Sequence, residues 1–284
     1  MAIIQGDVIG GSAGFYPKEI EQSLRFNDND SAYLSWTPAS AGNRKTWTFS
    51  TWVKRTVDGG AEILYSASTN DSVIGFNPTG GIEIYFSSGT YYLNSTATLF
   101  RDPSAWYHLV VSVDTTQSTA SDRVKCYMNG SLVTGWTTET YPVQNYDTGM
   151  SSASLHTLGR RAASSAAYLD SYLAETHFID GTAYDATAFG EFKNGVWVAK
   201  TPDVVYGANG FYLPFRNDYT VEGFSTVTYT GTGTSQYIGG VGFEPDLVWL
   251  KARGEAHWHV LTDSVRGASK SLYSNATNAE NTDG

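Results

Sequence analysis

The sequence predicts an all-β protein: an antiparallel β-sandwich followed by a smaller β domain. Three observations predict it. Short runs rich in Tyr, Trp, Val and Thr recur between turn residues. Several of these runs alternate with a period of two. No stretch of ten or more residues carries the apolar stripe of an amphipathic helix. Composition agrees. The 284 residues are 41% hydrophobic and 14% aromatic, which suffices for a packed core, and only 16% are charged, below the ~25% of an average globular domain.

Taken in order, residues 1–22 are glycine-rich and irregular (Gly10-Gly11-Ser12-Ala13-Gly14). They read as an extended N-terminal arm, either mobile or docked on a neighbouring subunit. A sandwich follows over 23–216. Its strands are expected at Ser23–Phe26, Ala32–Trp36, Thr46–Arg55, Ala61–Ala67, Val73–Phe76, Ile82–Phe86, Tyr91–Leu93, Trp106–Asp114, Arg123–Met128, Ser131–Val133, Leu155–Leu158, Tyr172–Asp180 and Phe211–Phe215. Trp47, Phe49, Thr51 and Val53 share one face of their strand, with Trp52 on the other. Tyr107, Leu109, Val111 and Val113 likewise oppose His108, Val110, Ser112 and Asp114. One dry face and one wet face are what two packed sheets require. Asn129-Gly130 supplies the positive φ angles of a two-residue hairpin. Asp185–Phe192 suits one or two helical turns capped by Asp185.

Arg216-Asn217-Asp218 marks a boundary. Residues 217–284 carry a second β pattern, with strands expected at Gln236–Ile238, Asp246–Lys251 and Trp258–Asp263. About 65 residues is short for a sandwich, and no closing strand is evident at Asn281–Gly284. This domain is therefore expected to be incomplete, or completed by a partner.

The formal net charge of -10, with no Lys/Arg run, disfavours binding to nucleic acid or to an anionic membrane surface. No run of ~18 apolar residues suggests a membrane span, and the N-terminus has no basic segment leading into an apolar one. The single cysteine, Cys126, excludes an internal disulfide and sits in an apparent strand, where it reads as a small buried hydrophobe.

The order Trp47-x-Phe49-x-x-Trp52-Val53, then Trp106-Tyr107-His108-Leu109-Val110-Val111, then a strand ending at Asn129-Gly130, resembles a laminin-G-like domain. Such domains belong to the concanavalin A-like lectin/glucanase superfamily, whose fold is a jelly-roll sandwich. Tyr172–Gly181 is similar to a late, sheet-closing strand of that fold. Tyr172–Gly181, Asp185–Glu191, Gly195-Val196-Trp197 and Gly207–Phe215 together resemble a segment shared among bacteriophage structural proteins. Val241–Lys251 and Asp263–Ala268 resemble a domain of unknown function that follows it there. The resemblance implies a virion-surface protein (tail fibre, appendage or capsid-surface protein) made in the host cytoplasm. Its expected partners are other virion proteins, copies of itself and host surface glycans. Fold alone does not name a ligand.

No reaction machinery is evident. Glycosidases of this fold carry carboxylates in a Glu-x-Asp-x-x-Glu strand, because nucleophile and acid must flank one bond at ~5 Å. The nearest candidate, Glu175…Asp180, has His177 where the middle Asp belongs, and the spacing reads as chance. No Gly-x-Ser-x-Gly elbow is present, since the matching run Gly10–Gly14 lies in the irregular glycine-rich arm rather than at a strand-to-helix turn. His108 reads as a structural histidine, and His257-Trp258-His259 as a weak metal motif without a third ligand. The expectation is therefore no catalytic residue and no cofactor, with calcium as the one metal to consider. Asn27-Asp28-Asn29-Asp30 gathers oxygens, with Asp28 and Asp30 as candidate ligands, although Asx-rich turns need no metal. A glycan site needs an exposed aromatic ring beside hydrogen-bonding groups. Two places offer that: Tyr91 and Tyr92 beside Asn94, and Tyr141 with Asn145, Tyr146 and Asp147. A polysaccharide-degrading enzyme on the same fold is the alternative to a binding or structural role.

Overall fold

The computed structural model describes residues 15–56, 59–96, 99–215, 223–238, 241, 243–267 and 269–282. The chain divides into two compact units, residues 1–216 and 217–284.

The strands of the first unit are β1 (Leu24–Phe26), β2 (Leu34–Trp36), β3 (Thr46–Arg55), β4 (Glu62–Ala67), β5 (Ser72–Phe76), β6 (Ile82–Phe86), β7 (Tyr91–Asn94), β8 (Tyr107–Asp114), β9 (Val124–Met128), β10 (Ser131–Leu132), β11 (Thr138–Thr140), β12 (His156–Leu158), β13 (Ser171–Asp180), β14 (Gly190–Lys193), β15 (Val196–Ala199) and β16 (Phe211–Leu213). One sheet runs β1-β13-β3-β8-β9-β10, with β16 also paired to β13; the second runs β11-β7-β6-β5-β4-β12-β2. The strand pairs are antiparallel, as a sandwich of this class requires.

The alternation read from the sequence places the core. Trp47, Phe49 and Val53 of β3 point inward with Leu109, Val111 and Val113 of β8. They meet Tyr65, Ile74, Phe76, Ile84 and Phe86 of the second sheet. Each such side chain contributes about 1.5–3 kcal/mol on burial. A bulge in β4, where its register against β5 slips between Ile63 and Tyr65, lets the consecutive Leu64 and Tyr65 both enter this core. The buried indole of Trp47 finds a partner, its Nε1 donating to Thr148 Oγ1 at 2.9 Å. Arg55 at the end of β3 pairs with Glu62 of β4 at 2.8 Å, donates to the Phe100 carbonyl at 2.8 Å and lies over the Phe76 ring.

The second face of the first sheet corrects the sequence reading. A wet face was expected there, yet Trp52, Val110 and Ile179 pack with Ala186, Phe189 and Trp197 into a separate small core. The cover is a hairpin of β14 and β15, turned by Asn194 (φ 49°) and Gly195 (φ 80°). The helical turn expected over Asp185–Phe192 is confined to Ala186–Ala188, with the Asp185 side chain accepting from the Thr187 amide at 2.8 Å. From Gly190 the chain is extended, because pairing with β15 satisfies its backbone and carries Trp197 inward. The Asn129-Gly130 hairpin joins β9 to β10 as expected, with φ of 49° and 78°. It has a second duty: a Cβ on Gly130 would lie 2.3 Å from the Trp197 ring, so the indole seats directly on the turn.

The second unit is a four-stranded sheet in the order β17-β18-β19-β20, formed by β17 (Leu247–Leu250), β18 (Val260–Asp263), β19 (Lys270–Tyr273) and β20 (Asn281–Thr282). Gln236–Ile238 forms no strand, and His257–His259 precedes β18 rather than lying within it. Contrary to expectation, a last strand is present: Asn281 and Thr282 pair with Ser271 and Lys270. Only Ser271 is buried among this unit's described residues, and Leu247 (61%), Trp249 (63%) and Trp258 (53%) stay exposed. The turns read at Arg216–Asp218 and Gly239-Gly240, and residues 1–14 of the arm, lie outside the described residues.

Candidate functional site

The outward face of the second sheet brings aromatic and polar side chains together. Ile82, Ile84 and Phe86 of β6 point into the core, so Glu83 and Tyr85 point out. Register then builds two rows across the strands. One runs Thr140, Tyr92, Tyr85, Val73; the other runs Thr138, Asn94, Glu83, Gly75. The Tyr85 and Tyr92 rings meet edge to face, with centroids 5.9 Å apart at 76°. Tyr92 Oη donates to Glu83 at 3.2 Å. Asn94 Oδ1 accepts from Asn77 Nδ2 at 2.7 Å. The Arg161 guanidinium lies 5.5 Å from the Tyr85 ring centre, fixed by two bonds to Asp71.

Electrostatics keep the phenol of this face a donor at neutral pH. Burial raises the Glu83 carboxyl pKa, opposed by the Tyr92 hydrogen bond and by Arg161. Burial, then the Glu83 charge, pushes the Tyr92 phenol up to about 12, so it remains a neutral donor. A ring to stack on, a carboxylate, a guanidinium, an amide and two threonine hydroxyls on one sheet face are groups that engage sugar hydroxyls.

The residues nominated from sequence separate. Tyr92 and Asn94 belong to this face. Tyr91 is on the opposite side of β7, packed against the core and edge to face with Tyr146 at 4.8 Å; the two nominated spots thus touch through these two rings. Tyr141 donates to Glu139. Asn145 is exposed, its amide bonded to the Thr115 carbonyl at 2.7 Å. Asp147 is exposed, its carbonyl accepting from Asn70 at 3.0 Å. Asp28 and Asp30 form a 3₁₀ turn in which the Asn27 amide donates to Asp30. Among the described residues no three His, Cys, Asp or Glu side chains gather to hold a metal ion. Glu83, Tyr85, Asp71 and Arg161 were missed. Alternation in Ile82–Phe86 could have placed the first two outward; the pairing that sets them beside Tyr92 and Asn94 is long-range.

Two further features lie on the first sheet. An open cleft of about 390 Å³ is lined by Asp114, Asp122, Lys125, Tyr127 and Asp185, among others. Its carboxylates already serve local structure: Asp114 accepts from Thr116 and Gln117, Asp122 pairs with Lys125 at 3.0 Å, and Asp185 caps its turn. On β13, Glu175 and Asp180 engage different groups. Glu175 accepts from Tyr212, whereas Asp180 accepts from the backbone amides of Asn43 and Asn209 at 2.6 and 3.1 Å. His108 is buried and doubly bonded, to Ser50 at 2.9 Å and Trp197 at 3.0 Å.

Fold and site together define a lectin-type antiparallel sandwich. The family model for the Concanavalin A-like lectin/glucanases superfamily matches residues 27–187, more than half of the chain, and the chain belongs to that family. Residues 220–284 match a domain of unknown function, DUF7483. No curated protein matches the chain. Solved structures similar to it include a carbohydrate-binding candidate from Bacteroides ovatus (12% identity, TM-score 0.40), over 57% of this chain and 44% of that one. Domain 4 of the arabinanase AbnA from Geobacillus stearothermophilus, in complex with arabinotriose, matches at 17% identity and TM-score 0.40, over 59% and 75%. Mouse laminin α1 domains LG4-5 match at 12% and 0.40, over 75% and 52%. The match thus spans less than half of the Bacteroides chain.

Proposed function

We propose that this chain is a structural protein of a bacteriophage particle surface that binds host glycans through the Tyr85–Tyr92 face and carries out no reaction. The observation that carries the glycan reading is that face: two half-buried phenol rings in register, flanked by Glu83, Asn94 and Arg161. Two sequence features support the particle reading. Segments within Tyr172–Phe215 and Val241–Ala268 resemble phage structural proteins, and the net charge of -10 turns the chain away from nucleic acid. A binding role rather than hydrolysis is favoured by the two carboxylates of β13: Glu175 shares its surroundings with His177 on the outer side, while Asp180 has the strand parity of the core residue Phe178. They do not flank one bond.

A glycan array of bacterial surface polysaccharides tests the site. The wild-type chain is expected to bind, and Tyr92→Ala or Tyr85→Ala to weaken binding about tenfold, the loss of one aromatic contact. Tyr146→Ala, which alters packing on the other side of β7, is expected to leave affinity unchanged. No binding by the wild type, or equal affinity in the Tyr92 variant, refutes the assignment. Imaging of intact particles with an antibody to this chain tests the location separately.

A further inference from the structure

The free edge of β13 is shared by two short strands. β1 pairs with Ser171–Leu173 and β16 with Thr176–Phe178. Between them β13 bulges, its register against β3 slipping between Ala174 and His177. Glu175 occupies the gap with φ 47°, a left-handed conformation that is strained for a glutamate. The chain before β1 cannot continue along an edge that β16 already holds. It rises over the outer face, and Lys18 lands on Glu175.

The contacts made there are those of a receptor for an ammonium group. Lys18 Nζ bonds to Glu175 Oε2, lies 3.2 Å from Tyr212 Oη and sits 5.0 Å from the centre of the Tyr212 ring. The Tyr212 hydroxyl, at 2.9 and 2.8 Å from the two Glu175 oxygens, donates to the same carboxylate. His177 backs the site. Its ring stacks on Tyr212 at 4.5 Å and 4°, its Nδ1 is 2.8 Å from Tyr206 Oη, and its Nε2 is 3.9 Å from Glu175. Glu175 is 7% exposed and His177 3%, whereas Phe15, Tyr16, Pro17 and Glu19 around Lys18 are exposed. A cavity of about 10 Å³, lined by Lys18, Trp52, Glu175, His177 and Phe189 among others, adjoins the ion pair. Withdrawal of Lys18 would open that cavity onto the buried carboxylate.

We infer that Glu175 and Tyr212, backed by His177, form a binding site for a primary ammonium group, filled by this chain's own Lys18 and open to an external alkylammonium once the Lys18 ammonium is removed. The chemistry selects this class. A carboxylate oxygen and a phenol oxygen accept N–H bonds, which a quaternary ammonium cannot donate. The ring face attracts a cation. A neutral ligand would leave a buried carboxylate uncompensated. The inference is independent of the glycan reading, since the Tyr85–Tyr92 face lies on the other sheet.

Chemical rescue of the full chain tests it. Lys18→Met keeps an apolar stem and removes the charge, and is expected to lower the melting temperature by roughly 2–4 °C. Millimolar n-butylammonium chloride is expected to restore it, while tetramethylammonium chloride at equal ionic strength does not. Wild type should respond to neither salt, and Lys18→Met/Glu175→Gln should not respond to n-butylammonium. In the single variant, the butyl proton resonances should also move upfield on binding beside the Tyr212 ring. An unaltered melting temperature in Lys18→Met, or equal responses to the two salts, overturns the inference. Unshifted butyl resonances do the same if the melting data are obscured by aggregation.

Discussion

Burial acts strongly on two histidines of the first sheet. His108 sits between Trp52 and Trp197, with both ring nitrogens bonded. Burial pushes its pKa down to about 3. His177 is held down to about 3 by burial, then by the Lys18 charge and by His108, even though Glu175 stands nearby. Both are therefore neutral in the folded chain at pH 7. In the unfolded chain they protonate near 6.5. As pH falls below that value, the unfolded state takes up protons that the folded state refuses. Stability is then expected to decline from about pH 6.5 toward pH 3, by up to ~1.4 kcal/mol per pH unit for each histidine. Urea unfolding at pH 7, 6 and 5 measures the slope, and His108→Gln should flatten it. An NMR titration placing either imidazole midpoint near 6.5 would contradict the account. The structural role of His108 was legible from its strand. Its burial was not, because the covering hairpin arrives from 80 residues downstream.

Among the elements, turns carry more of the specification than their length suggests. Asn129-Gly130 and Asn194-Gly195 both make hairpins with positive φ, and the first also supports Trp197. Gly130→Ala is expected to destabilise the first unit by about 2 kcal/mol, since the new methyl meets both a strained φ and the indole. A urea midpoint within error of wild type would show that Trp197 is not seated there. Most strands of the sandwich can be read from alternation, β3 and β8 most plainly. β11 could not, because Thr138-Glu139-Thr140 is exposed throughout and owes its pairing to β7 alone. β14 and β15 were masked by a helix-capping aspartate, although the Asn-Gly between them was a hairpin signal of the same kind as the one recognised at 129–130. The candidate face was half legible: Tyr92 and Asn94 could be nominated, but their neighbours Tyr85 and Glu83 are fixed by register.

At the scale of the whole molecule, the two units differ in what they bury. The first holds a core of aromatic and branched side chains reaching from Phe26 to Phe178; the second buries only Ser271 among its described residues. Calorimetry on the full chain is accordingly expected to show two transitions. The lower and smaller one belongs to residues 217–284, and Trp249 and Trp258 fluorescence should report it. A single transition with coincident probes would mean that the units unfold as one. In the second unit the strand patterns at Asp246–Lys251 and Trp258–Asp263 contain β17 and β18, whereas β19 and β20 went unread and Gln236–Ile238 forms no strand.

The end strands β1, β16, β10, β11 and β2 are each two or three residues long. A template for another chain to zip onto needs a longer row of unpaired amides and carbonyls. The sandwich is thereby poorly suited to growing into fibrils by continuous hydrogen-bonded ladders, and any neighbour would have to join it through side chains, leaving the fold closed on itself.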